Sequence, residues 1–441
     1  MDSKSFDVVR LRSPQVTQDK SFDVVRLRSP QVAQGKPFDS AQGKPAMCGG
    51  EPMFKNELRI IKPTLFDPEE IAVELRDIFS TGNVTTSKYV RKFEEACADY
   101  LGVKHAVAVS SATSGLMLAI KGLGLKGEVI VPSFTFTATV HALIWNNLTP
   151  VFVDCEQGTY NIDVSKIEEK ITSRTSAIMP VYIFGNPPRI KKLTKIAQKY
   201  ELKLIFDTAQ GFGALFNGIK AGGFGNCEVF GLSPTKVLTA IEGGLVTTNN
   251  DKLAEFLTSA RDYGKNPDGS DINHVGLSAR MSELHALVGL KNLENIEKCL
   301  STRRELIQLY MSLLSSLDGV SFQEVLEGSR SSGNYMMIFI DGKRFGMTRD
   351  ELYEALKAEN IQTRKYFYPA VHMQKAYFYL SSSYIGKLPV TEKAAEQGLA
   401  LPLYGQMQPD VAEKVCMAIK RIYSYILKGP GKLRVMSEKQ R

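Results

Sequence analysis

From residue 105 onward, short apolar runs rich in β-branched residues alternate with stretches whose apolar positions recur every three or four residues. The runs at 105–110, 128–132, 150–154, 177–184 and 202–206 are apolar along nearly their whole length. They lack the polar alternation of a strand with one face in water, so they predict strands buried on both faces and covered by helices. The intervening patterns predict those helices at 115–123, 137–147, 165–171 and 189–200. Two further strands, 229–232 and 244–247, precede helices near 251–262 and 281–317. This order predicts an α/β domain built on a mostly parallel seven-stranded sheet. After about residue 318 the texture changes. A strand at 335–340, then helices at 348–358 and 409–427, predict a smaller α+β unit. The expected division is a large domain over 53–317 and a small C-terminal domain over 318–428.

The two ends do not share this pattern. The string SFDVVRLRSPQV at 5–16 recurs unchanged at 21–32, with a decayed third copy at 37–39. So short a period without an apolar face makes no solenoid. Residues 1–52 are expected to form a disordered tail, or to lie upstream of a start at Met47 or Met53. Residues 429–441 open Gly-Pro-Gly, are rich in Lys and Arg, and are expected to fray. Charge follows the same division. The 441 residues carry 55 Lys+Arg against 47 Asp+Glu, a net +8, of which the two tails hold +5. The remaining +3 shows no clustering, so nucleic acid is not an expected partner. No apolar run approaches the ~18 residues of a membrane span, and the N-terminus lacks the apolar core of a secretion signal. Six scattered cysteines without a CxxC pair fit a reducing, cytoplasmic setting; they argue against a disulfide framework or zinc ribbon.

In sheets of this kind ligands collect at the carboxyl ends of strands, and three segments there carry chemistry. SSATSG at 110–115 opens a helix, where free amides and the helix dipole suit an anion; plain capping by Ser111 or Thr113 is the competing use. FDTAQG at 206–211 ends an apolar strand on Asp207, a carboxylate that can sit under a flat cofactor or cap a helix. FGLSPTKVLTAIEGG at 230–244 places Lys236 just past another apolar strand. A lysine there is ordinarily a solvated charge, but partial desolvation lowers its pKa and makes its amine a nucleophile for carbonyls.

Taken in order, these segments resemble the DegT/DnrJ/StrS family of sugar aminotransferases. The likeness extends over roughly 57–425 and includes YLGVKHA at 100–106, VPSFTFTA at 131–138, TPVFVD at 149–154, FGNP at 184–187 and SARMSELH at 278–285. It implies the type I aminotransferase fold, pyridoxal phosphate as cofactor, a nucleotide-linked keto-sugar (4-keto favoured over 3-keto) as acceptor and glutamate as donor. It further implies a homodimer with its active site at the interface. Lys236 is then the lysine that bonds the cofactor, and Asp207 the partner of its ring nitrogen. Gln210 stands near the ring hydroxyl and Phe136 on the ring face. Ala112, Thr113 and Ser114 would hold the phosphate. The family usually has Ser where this chain has Gly231, and Asn, reaching the phosphate from the neighbouring subunit, where it has Ser278, so Ser233 or Ser278 would compensate; the donor-side residues Ser278 to Arg280 are likewise expected to act from the partner subunit. Arg280 resembles an arginine that pairs with the donor's carboxylate, and TRKYFYPAVH at 363–372 resembles the sugar-site stretch, with Tyr368 and His372 as contacts. No metal is expected. Relatives that are sugar dehydratases carry His in place of the lysine, which Lys236 argues against. A regulatory protein that keeps the fold and binds without turnover is the other alternative.

Overall fold

A computed structural model describes residues 51–428; the repeated N-terminal string, Cys48 and the 429–441 tail lie outside the described residues. The central sheet is made by β1 (His105–Val109), β2 (Glu128–Pro132), β3 (Thr149–Val153), β4 (Thr175–Ile178) and β5 (Lys203–Asp207). After the short hairpin β6 (Leu215–Phe216) and β7 (Ile219–Lys220), β8 (Cys227–Gly231) and β9 (Gly244–Thr248) complete it. Its order is β1-β9-β8-β5-β4-β2-β3. All neighbours are parallel except β9, which runs antiparallel between β1 and β8. The seven-stranded α/β expectation therefore holds.

Strand alternation sorts the core onto two faces. Ile130, Ile178, Leu204, Phe206, Phe230 and Leu245 pack on one side. Their neighbours Val129, Val131, Ala177, Ile205, Val229 and Val246 pack on the other. Both sets are buried, which is why these strands read as unbroken apolar runs. Helix Lys88–Leu101 buries Tyr89, Val90, Phe93, Cys97 and Leu101 and stops at Gly102, whose φ of 70° is left-handed. Its first amides are satisfied from a distance. Glu283 accepts from Ser87, Tyr89 and Val90 N–H at 2.7, 2.7 and 3.0 Å.

Three expected elements differ. The 165–171 helix is two single turns, Val164–Lys166, capped by Asp163 Oδ1 on the Ser165 amide at 3.0 Å, and Glu168–Lys170. The 177–184 strand stops at Ile178. Pro180 follows without an N–H to donate, and Phe184 turns left-handed with φ 58°. The 281–317 helix is two, Glu283–Glu294 and Ile296–Leu314, divided at Asn295.

A second, antiparallel sheet joins β10 (Val320–Phe322), β12 (Met336–Ile340) and β13 (Gly398–Leu401); the two-residue β11 (Ser329–Arg330) instead extends the β6–β7 hairpin. Its core is closed by Leu306, Tyr310 and Leu314 on one helix and by Ala412, Val415, Ile419 and Ile422 on the helix Pro409–Lys428, at spacings that share one face. Met53, Phe54 and Leu58 pack against the same core.

Candidate active site

A cavity of about 340 Å³ opens at the carboxyl ends of the parallel strands, and all three chemical segments line it. Asp207 closes β5 and is 5% exposed. Its Oδ2 accepts from Thr139 Oγ1 at 2.7 Å, and its Oδ1 from Ala209 N–H at 3.1 Å. Thr139 is itself paired with Thr135 Oγ1 at 2.8 Å. Burial pushes the Asp207 carboxyl above the ordinary carboxylate range, while Thr139, Ala209 and the charge of Lys236 hold it down. Lys236 faces the same cavity. Burial drives its amine down to about 8, against the opposing pull of Asp207.

The amide cradle depends on two glycines. Gly244, the first residue of β9, lets the helix Ala112–Gly122 approach so closely that a Cβ there would meet Ser111 C at 2.4 Å and Ala112 N at 2.5 Å. A Cβ on Gly115 would stand 3.0 Å from both Val229 and Val246, so that helix also lies tight on the sheet. Ser111, Ala112 and Thr113 line the cavity. Ser114 does not. Its N–H goes to Ser111 Oγ at 3.1 Å, and its hydroxyl returns to Ser111 C=O at 2.8 Å, so it caps the helix.

Gln210 is oriented without ambiguity. Its Oε1 accepts Phe184 N–H at 2.8 Å, which turns its NH₂ to other partners. Phe136, 55% exposed, presents an apolar ring on the wall. Gly231 ends β8 where a Cβ would stand 3.0 Å from Lys236 Cε, so no side chain at 231 competes with the lysine. Ser233 lines the cavity beside it.

Four expected site residues lie elsewhere in this chain. His372 is fully buried, with Nδ1 2.6 Å from Ser133 Oγ and Nε2 3.2 Å from Glu392. Burial lowers its pKa against the pull of Glu392, and it does not line the cavity. Tyr368 lies under the Arg349 guanidinium, 4.9 Å from its ring centroid. From that stretch the backbone instead presents Tyr366 and Phe367 to the cavity, joined by Tyr335 of the strand-entry segment. Ser278 and Arg280 lie beside the end of β1, where Arg280 pairs with Asp262 at 3.0 Å. Glu242 and Thr235 also line the cavity. Their nearness to Lys236 in the sequence was the signal for them; for Tyr335 there was none.

The sequence matches the DegT/DnrJ/EryC1/StrS aminotransferase family over residues 66–420. The chain belongs to that family. It is 34% identical to the dTDP-4-amino-4,6-dideoxy-D-glucose transaminase of Escherichia coli, over 81% of this chain and 96% of the relative. It is 32% identical to the GDP-perosamine synthase of Caulobacter vibrioides, over 77% and 91%. Among solved structures, DesI with its TDP-sugar product superposes with a TM-score of 0.78 at 33% identity, covering 89% of this chain and 98% of DesI. The protein is an aminotransferase dependent on pyridoxal phosphate.

The residues present fit that cofactor. A buried carboxylate retains acceptor capacity beyond its two protein donors, and a lysine amine of lowered pKa shares its cavity. The cradle that a Cβ at 244 would fill supplies helix-terminal amides suited to a phosphate.

Proposed function

We propose that this aminotransferase moves an amino group from L-glutamate to a nucleotide-linked keto-sugar, with the ketone at carbon 4 favoured over carbon 3. The observation that carries the reading is the shared cavity of Asp207, Lys236 and the Ala112 and Thr113 amides, lined also by the aromatic rings of Phe136, Tyr366 and Phe367. Relatives named for dTDP- and GDP-linked sugars support the substrate class, and a 4-amino product supports a 4-keto acceptor.

Pyridoxal phosphate supplies an electron sink for the pair left when the donor's Cα–H bond breaks. Lys236, neutral above about pH 8, would bond the cofactor and, when the donor's amine displaces it, carry the Cα proton to the cofactor's aldehyde-derived carbon; with the sugar bound it would carry a proton from that carbon to the sugar carbon. Asp207 would keep the proton on the ring nitrogen. Gln210 would donate to the ring hydroxyl, Phe136 would cover the ring, and Ala112, Thr113 and Ser233 would hold the phosphate.

The cavity's own charges are Asp207 and Glu242 against Lys236, with no Arg or His in its lining. A phosphate, a dicarboxylate donor and a nucleotide diphosphate require more cations than this. We assign the deficit to a second copy, whose Ser278 and Arg280 would reach across a homodimer interface. Tyr263, Ile272 and Val275, 47%, 55% and 77% exposed near that segment, form an apolar surface for such a contact. The reaction is placed in the cytoplasm, where the five free, buried cysteines of the described chain stay reduced. Among the described residues no helix is long and apolar enough to cross a membrane.

The test is to incubate the protein, loaded with pyridoxal phosphate, with glutamate and a panel of UDP-, dTDP- and GDP-4-keto-sugars. Release of 2-oxoglutarate with at least one sugar is expected. None with any sugar, while cofactor is bound, rejects the reading.

A further inference from the structure

The loop that carries Lys236 is tied down by side chains from distant segments. Val237 N–H, the amide directly after Lys236, donates to Asn334 Oδ1 at 3.1 Å across 97 residues of chain. Asn292 Nδ2 donates to Thr239 C=O at 2.8 Å, and Thr239 Oγ1 to Leu232 C=O at 3.2 Å. Of these ties, only that of Asn334 falls on the peptide joining Lys236 to its successor.

Asn334 is 1% exposed, and its Nδ2 has no hydrogen-bond partner among the described residues. An idle buried donor costs about 1–3 kcal/mol, but an apolar side chain of that size would leave the Val237 N–H without its acceptor. What asparagine offers in its place is the oxygen that meets Val237. The main chain behind it is held in turn. Arg303, also 1% exposed, places Nη1 3.4, 3.3 and 3.5 Å from the carbonyls of Gly333, Asn334 and Leu403. Among the described ion pairs it has no carboxylate partner; its Nη1 holds main-chain carbonyls, two of them at Gly333 and Asn334.

We propose that Asn334 is a positioning residue for Lys236. It sets the plane of the 236–237 peptide and hence the direction in which the lysine side chain enters the cavity, while Arg303 fixes the base from which Asn334 reaches. The coupling runs from the segment leading into β12 to the reacting amine, so it joins the second sheet to the chemistry of the first. It rests on the reading of Lys236 as the lysine that bonds the cofactor.

The experiment uses the full chain loaded with pyridoxal phosphate. Borohydride reduction and peptide mapping first locate the labelled lysine; a label elsewhere than Lys236 rejects the functional reading and this one with it. With the label on Lys236, N334A should speed hydrogen exchange in a 234–240 peptide about ten-fold or more, leaving 203–207 unchanged. It should lower kcat about ten-fold or more with KM within about three-fold, and move the pH midpoint of the lysine-bound cofactor's absorbance. Unchanged exchange and unchanged kcat overturn the proposal, even if the unfolding temperature drops. N334D keeps an acceptor oxygen and should hold 234–240 as slow as wild type. Faster exchange in N334D overturns the proposal even where N334A does not accumulate.

Discussion

Glu228 makes stability fall with rising pH near neutrality, and the size of the effect can be worked from its surroundings. Its side chain is fully buried on β8. Oε1 accepts from Gly222 and Phe224 N–H at 2.7 and 2.8 Å, and Oε2 from Thr208 Oγ1 at 2.8 Å. No cation neutralises it in any described ion pair, and burial outweighs these donors, pushing its carboxyl from 4.5 up to about 7. At 1.36 kcal/mol per pH unit, ionising it in the folded state costs about 3 kcal/mol more than in the unfolded chain. The sign follows from proton counting. Between 4.5 and 7 the folded protein binds the proton and the unfolded chain does not, so stability is highest below this window and falls as pH rises through it. E228Q removes the charge and keeps the connections. The amide oxygen still accepts both backbone N–H groups, and its NH₂ donates to Thr208 Oγ1, whose own proton turns to Phe206 C=O, 3.5 Å away. Urea unfolding of wild type and E228Q at pH 5 and pH 8 should show the variant gaining about 2 to 3 kcal/mol on wild type between the two. A gain below about 1 kcal/mol, or one of opposite sign, refutes the reasoning.

Three further outcomes are expected. T139V removes the donor to Asp207 Oδ2, worth about 1.5–3 kcal/mol as a bond to a charged group; Asp207 then titrates higher, and the acid limb of the pH–rate profile should move up. G244A drives a Cβ into Ser111 and Ala112 backbone at 2.4–2.5 Å, so bound cofactor per chain should fall sharply and the unfolding temperature with it, the overpacking costing about 1–3 kcal/mol. Uptake of pyridoxal phosphate by cofactor-free protein should accelerate through about pH 8, where Lys236 loses its proton; acceleration only toward the ordinary lysine range near 10.5 would show that the amine is not desolvated.

The parallel sheet was legible because strands buried on both faces leave unbroken apolar runs, as Ile205 and Phe206 on opposite sides of one strand show. The chemical segments were legible because the sheet delivers strand ends to one place. Side-chain direction was not. In 363–372 the backbone turns Tyr366 and Phe367 inward and leaves Tyr368 against Arg349 and His372 between Ser133 and Glu392. Ser114 was misplaced for a similar reason, since a serine at a helix start serves a cap and an anion equally well until its bonds are seen. The two-residue strands of the β6–β7 hairpin and β11 are too short to leave any period at all.

The antiparallel β9 has a consequence for how the chain is made. β1 stands at the end of the sheet and pairs only with β9, His105 opposite Thr248. During synthesis β1 therefore emerges roughly 140 residues before its partner, a wait of about 10 to 30 s at ordinary translation rates. Throughout that interval its backbone is an open edge beside an apolar surface, the condition in which nascent chains associate wrongly. The same strand brings Gly244 against Ser111 and Ala112, the seat proposed for the phosphate, so cofactor capture there would follow the closing of that edge. If the phosphate is seated there, pyridoxal phosphate would bind the finished sheet alone and draw late folding intermediates toward it by mass action.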